Sequence, residues 1–249
     1  MAKQVGIIRL KGTIGDVNYY NSKNGGDLAR TAGGGYTSDS VKYSPRMVRS
    51  RENASEFGHC SSVKRNFRIA LAPFLCVRKD GTLHRRMMSL FTDLKKMDLV
   101  STRGNRKVGQ GVATARGKDL LGRFDFTPAC NVDEVLGATL NYDFSSRILE
   151  VTNFDIKTVR FPSGATHMAL TLGLLHFDFD LLKYQLKTSA PLYLDRTYAG
   201  TSFQMGVDLP DVDGTSVAVL GIKFYDEVGG KFYLFKSANA VGVGNLGVW

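Results

Sequence analysis

The chain falls into three stretches of different texture, and each predicts a different kind of element. Val5–Leu10 is apolar and β-branched, Lys11–Gly15 turns the chain, and Asp16–Tyr20 reads as a second strand. Asn24-Gly25-Gly26 is a hairpin signal, Asp27–Thr31 returns, and Gly33-Gly34-Gly35 punctuates the unit. Residues 1–36 are therefore expected to form a β-hairpin arm. Strands so short, with so few large apolar residues, bury too little to be stable alone, so the arm must dock on something.

Residues 37–123 carry a helical period followed by a loop. Ser44-Pro45 suits a helix start. Val63, Phe67, Ala70, Leu71 and Phe74 recur at helical spacing, and Pro73 should end or kink that helix. Leu83, Met87, Leu90, Phe91, Leu94 and Met97 predict another helix, introduced by Gly81-Thr82. Residues 101–123 are polar, basic and glycine-containing, and are expected to be a loop or linker.

From 124 to 249 the period shortens. Ile148–Phe154, Thr166–Leu175, Leu181–Leu194, Ser202–Val207, Ser216–Tyr225 and Lys231–Lys236 read as strands between turn clusters. In Phe124-Asp125-Phe126, Tyr142-Asp143-Phe144 and Phe177-Asp178-Phe179 the period of two points rings at the core and carboxylates at water. The expected fold class is α+β: an N-terminal β-hairpin arm and a basic helical segment, followed by an antiparallel β-sandwich, Ig-like or Greek-key.

Charge sharpens this division. Residues 1–123 hold 24 Lys/Arg against 9 Asp/Glu, whereas residues 124–249 hold 9 against 14, so a basic half precedes a mildly acidic one. The first half should attract polyanions or an acidic protein face, and two copies could meet basic part to acidic part. With 43% apolar and 22% charged residues the chain can bury a core. Three scattered cysteines, with no C-x-x-C pair, favour a reducing compartment over a disulfide framework or zinc ribbon. Met1–Leu10 lacks the features of an export signal. The most apolar run, Met168–Phe177, is too short to span a membrane as a helix.

A search for chemistry finds little that converges. His59 adjoins Cys60, but neighbours in a helix rarely point at each other. His167 and His176 sit at odd spacing in an expected strand, hence on opposite faces. Asp208, Asp211, Asp213 and Gly214 resemble a fragment of a calcium loop without its register or closing glutamate. Gly104–Gly111 has the glycines of a phosphate loop without its G-K-[ST] ending. No catalytic residue, cofactor site or metal site is assigned. Arg103, Arg106, Lys107, Arg116, Lys118 and Arg123 form a candidate polyanion contact. Tyr19, Tyr20 and Tyr36 could stack bases, although packing is the commoner use of strand aromatics.

The opening Gly6-Ile7-Ile8-x-Leu10-x-Gly12-Thr13-Ile14-Gly15-Asp16, with Tyr19-Tyr20 and Arg30, resembles that of a family of uncharacterised bacterial proteins. Arg51-Glu52-Asn53-x-x-Glu56-Phe57-Gly58, Ser101-Thr102-Arg103-Gly104 and Leu220-Gly221-Ile222-x-Phe224-Tyr225 are similar to it too. The resemblance spans nearly the whole chain, implies no catalytic residues, and points to an intracellular or mobile-element protein of bacteria. The expectation is a non-enzymatic subunit that self-assembles through an arm comprising Val5, Ile7, Ile8, Leu10, Val17, Tyr19 and Tyr20. Its location would be the cytoplasm or a particle assembled there. Weak, sequence-independent nucleic-acid binding by the basic half is the alternative.

Overall fold

The structure, a computed structural model, describes residues 2–23, 25–33 and 36–249. Asn24 of the expected hairpin turn, and Gly34 and Gly35 of the glycine triplet, lie outside the described residues. The chain is an α+β protein whose sheets are antiparallel. It divides into two compact units, residues 1–51 and 52–249.

The first unit is a four-stranded sheet of β1 (Ala2–Lys3), β2 (Gly12–Ile14), β3 (Val17–Ser22) and β4 (Gly26–Thr31), in the order β1-β4-β3-β2. The short helix α1 (Ser38–Tyr43) follows, capped by Thr37, whose hydroxyl accepts from the Ser40 amide. Val5–Leu10 is not a strand, and the sequence expectation fails there. The Gln4 amide group holds the two ends of this segment together instead. Its Nε2 donates to the Leu10 carbonyl and its Oε1 accepts from the Leu10 amide, at 3.2 and 2.8 Å. The loop so closed bends through residues 6–8.

The second unit is built on one long antiparallel pair, β7 (His167–Phe177) and β11 (Thr215–Val228), in register from Thr215 opposite Phe177 to Tyr225 opposite His167. Side chains alternate across a strand. One face of the pair therefore presents Leu175, Phe177, Val217 and Val219, which pack with Cys60, Val63, Phe67, Phe74 and Phe91 of the helices. The other face presents Leu170, Leu172, Leu220 and Ile222. These pack with Leu149, Val151 and Met205 of a three-stranded sheet made by β5 (Thr139–Asp143), β6 (Ile148–Thr152) and β10 (Phe203–Gly206). Burial on both faces explains why Met168–Phe177 is predominantly apolar, interrupted only by Thr171 and His176, rather than an alternation.

Around this pair, β12 (Lys231–Leu234) and β13 (Val241–Val248) lie along β11, while β8 (Tyr184–Thr188) and β9 (Leu192–Asp195) lie along β7. The single strand expected over Leu181–Leu194 is thus two. Pro191 has no amide to give the ladder, and Ser189 spans the gap by exchanging bonds with Leu172 at 2.9 and 3.0 Å. β13 has no counterpart in the sequence reading, because its glycines argue against a strand. They are there for close approach: a Cβ on Gly242 would lie 2.6 Å from the Cys130 carbonyl oxygen.

The helices are α2 (Val48–Ala70), α3 (Ala72–Leu75), α4 (Leu83–Lys96), α5 (Val108–Val112), α6 (Ala115–Gly122) and α7 (Val132–Leu136). Pro73 breaks α2 from α3, as its missing amide requires. Residues 101–123, expected as a loop, contain α5 and α6 and contribute Val108, Val112 and Leu121 to the core. Phe124-Asp125-Phe126 lies between helices rather than in a strand, yet Phe126 is buried and Phe124 packs edge-on against it at 5.1 Å.

Phe74 lies over the β7–β11 pair where both strands carry glycine: a Cβ on Gly173 or Gly221 would meet its ring at 2.7 or 2.6 Å. Gly221→Ala is expected to cost about 1–3 kcal/mol by overpacking, measured by denaturant unfolding. Phe74→Ala should cost about 3–5 kcal/mol through the cavity it leaves.

Candidate functional site

The N-terminal segment stands out by exposure. Val5, Ile7 and Ile8 are 90, 101 and 78% exposed, and Leu10 and Ile14 are exposed beside them. The backbone of Val5–Ile8 makes no hydrogen bond among the described residues. Its flank is basic: Arg9 bonds the Gln4 carbonyl at 2.9 Å and the Asp27 carboxylate at 2.9 Å, and Lys3 and Lys11 are exposed. Of the other residues assigned to the arm, Val17, Tyr19 and Tyr20 are half-buried in β3. Tyr19 and Tyr20 are consecutive, so they point to opposite faces and make no common platform. Tyr20 lies under the Arg30 guanidinium at 5.3 Å.

The candidate polyanion residues are not brought together as one free set. Arg106 forks onto Glu56 through Nε and Nη2 at 2.7 and 2.8 Å. Glu56 is buried, and it also receives the Gly104 amide at 2.8 Å and the Lys95 ammonium. Arg103 reaches Glu52 and Asn53, and Arg123 pairs with Asp119 one helical turn away. Lys107, Arg116 and Lys118 remain without an ion pair among the described residues, Lys107 and Arg116 being exposed.

The buried group behind this arrangement was legible but unread. Glu56, Cys60, Val63, Phe67 and Ala70 fall on one helix face and are all buried, so the period marks an acid on an apolar stripe. Such an acid must be neutralised. The 98–108 segment does this. Asp98 receives the amides of Val100, Ser101 and Lys107 at 2.8–2.9 Å, and His59 Nε2 receives that of Val108 at 3.0 Å. The glycines read against a phosphate loop serve this packing. Gly104 has φ +94° and a Cβ there would lie 2.9 Å from Glu52 Cγ, while a Cβ on Gly111 would collide with the Leu94 carbonyl.

Electrostatics follow the contacts. The fork from Arg106 holds the Glu56 carboxyl well below the usual carboxylate range, against the opposing effect of burial, helped by Lys95 and Gly104. Burial would raise Asp98, but the amides of Lys107, Ser101 and Val100 bring it down to about 2. Burial lowers His59 and raises Cys60. His59 and Cys60 do not face each other, since the thiol points at the Phe91 carbonyl. His167 meets Glu227 at 3.4 Å, whereas His176 bonds Val212 and Ser216. Asp211 is engaged by Gln185 and Lys187. Among the described residues no group of three His, Cys, Asp or Glu is placed to hold a metal ion. Nor is any described helix long and apolar enough to cross a membrane. Comparison with protein-family models, curated proteins and solved structures finds no match for the chain.

Glu56→Gln is expected to cost about 3–5 kcal/mol, because it strands Lys95 and Arg106. Lys107→Ala and Arg116→Ala should stay within about 0.5 kcal/mol, both read from denaturant midpoints. Glu56 and Asp98, both lowered, also contribute to an acid limit. Their stabilisation is full above the unfolded values near pH 4 and is lost as pH falls through the folded ones. The melting temperature should therefore drop from about pH 4 downward, and Asp98→Asn should make that drop shallower.

Proposed function

We propose that this protein is a non-enzymatic structural subunit that self-associates through its N-terminal arm. The two sheets of residues 139–248 would serve as its rigid β-sandwich body. The observation that carries this reading is the apolar run Val5, Ile7 and Ile8, held out in a loop with its backbone groups unpaired. Burying such a side chain is worth about 1.5–3 kcal/mol. Unpaired amides and carbonyls add the capacity for strand addition to a neighbour. If the contact is heterologous and does not close, the product is a filament, tube or phage-like particle, assembled in the cytoplasm.

Sequence-independent nucleic-acid binding draws less support. Three of its six candidate cations, Arg103, Arg106 and Arg123, are already engaged by the chain's own carboxylates.

Size-exclusion chromatography with light scattering, together with negative-stain microscopy of the full chain, tests the proposal. The wild type is expected to associate in the micromolar range. The double variant Ile7→Asp, Ile8→Asp should run as a monomer with an unchanged melting temperature. A wild-type protein that stays monomeric at high micromolar concentration overturns the reading.

A further inference from the structure

A second open edge lies in the 52–249 unit. Trp249 and Ser216 exchange both backbone bonds, at 2.9 and 3.0 Å, which fixes the phase of the β11–β13 ladder. In an antiparallel pair such residues alternate with ones whose amide and carbonyl point outward. Val248 is therefore outward-facing. On the far side of the bulge opposite Ala218–Val219, so are Asn245 and Val243. The Thr127 hydroxyl occupies Val243, accepting its amide at 2.7 Å and bonding its carbonyl at 3.3 Å. The outward backbone groups of Asn245 and Val248 have no partner among the described residues.

This edge lies beside a trough. A cleft of about 490 Å³ runs between α6, at Ala115, Lys118 and Arg123, and residues Asn245–Val248. A smaller one of about 110 Å³ continues from it, sharing Gly122, Arg123 and Asn245, and ends at Asp125 and Asp133. The trough is apolar along Leu246 and Val248, carries Lys118 and the Asp119-paired Arg123 on its other wall, and has Asp125 and Asp133 at its far end. Asp125 is bonded by the Thr127 amide and the Asn131 side chain, with no cation at its carboxylate among the described residues. Partial desolvation, then Asp125 and Glu134, hold Asp133 above the usual aspartate range.

We propose that this edge of β13 is the acceptor, on a second copy of the chain, for the Val5–Lys11 segment. The inference rests on the self-association reading and names its partner surface. An unpaired edge calls for an extended backbone, and the segment's own backbone over Val5–Ile8 is unpaired. Four residues at about 3.3 Å each match the stretch Asn245–Val248. Charge sets the direction. Apolar Val5–Ile8 lies along Val248–Asn245, and the exposed Lys11 comes to Asp125 and Asp133, so the added strand is antiparallel to β13. The basic excess is general there, since residues 1–51 hold nine Lys/Arg against three Asp/Glu. Docking exchanges the two Gln4–Leu10 bonds of the free loop for bonds along the edge.

The test uses full-length chains carrying Cys76→Ser, because Cys76 is the exposed cysteine and Cys60 and Cys130 are buried. A chain with Val5→Cys is mixed with one bearing Val248→Cys under mild oxidation. A heterodimeric cross-link is expected, and none with Leu209→Cys, an exposed position elsewhere on the unit. Separately, Lys11→Glu should weaken association about tenfold, and Asp133→Lys on the partner chain should restore it. If Ile7→Asp, Ile8→Asp disperses the assembly but Val248→Cys does not cross-link and Asp133→Lys does not rescue, the acceptor is wrong while self-association stands. If the wild type never associates, both fall together.

Discussion

The pairing of β7 with β11 is the constraint on which the 52–249 unit depends. Eleven residues of each strand are held in one register, and both faces of the pair are apolar. A slip of one residue would exchange the face that meets the helices for the face that meets the small sheet. Phe74 guards against that slip on one side, because its ring fits only where Gly173 and Gly221 come together across the two strands. The helices and the three-stranded sheet are thus covers for a single two-stranded centre, one on each side.

The buried carboxylate of Glu56 is the polar counterpart of that centre. An ionised acid on the apolar stripe of α2 is tolerable only because Arg106, Lys95 and the Gly104 amide converge on it. The same contacts tie residues 98–108 down on α2. Two cations of the basic first half, Lys95 and Arg106, therefore serve internal neutralisation. Net charge shows by how much cations outnumber anions in a segment, but not which of them face outward.

The 1–51 unit follows a different logic. It has few large side chains to bury, and its most apolar run is outside any strand. Gln4 achieves this with one side chain, satisfying both backbone groups of Leu10 and turning a would-be strand into a closed loop. This exposed apolar surface is what the proposed self-association would cover.

Much of the element order was legible in the sequence, and so was the class of fold. Helical period marked α2 and α4, Pro73 marked the break, and apolar runs marked β6, β7, β10, β11 and β12, since these signals arise from neighbours within a few residues. Glu56 could have been found the same way, from its place on the helix stripe. What only the tertiary structure decided depends on residues far apart in the chain. Gly242 and Gly111 read as strand and helix breakers, yet they sit in regular elements because a distant backbone passes within contact of their Cα atoms. Arg106 and Lys107 are adjacent and alike in the sequence. One is locked onto an acid fifty residues away and the other faces water, a difference set by long-range packing and by no local pattern.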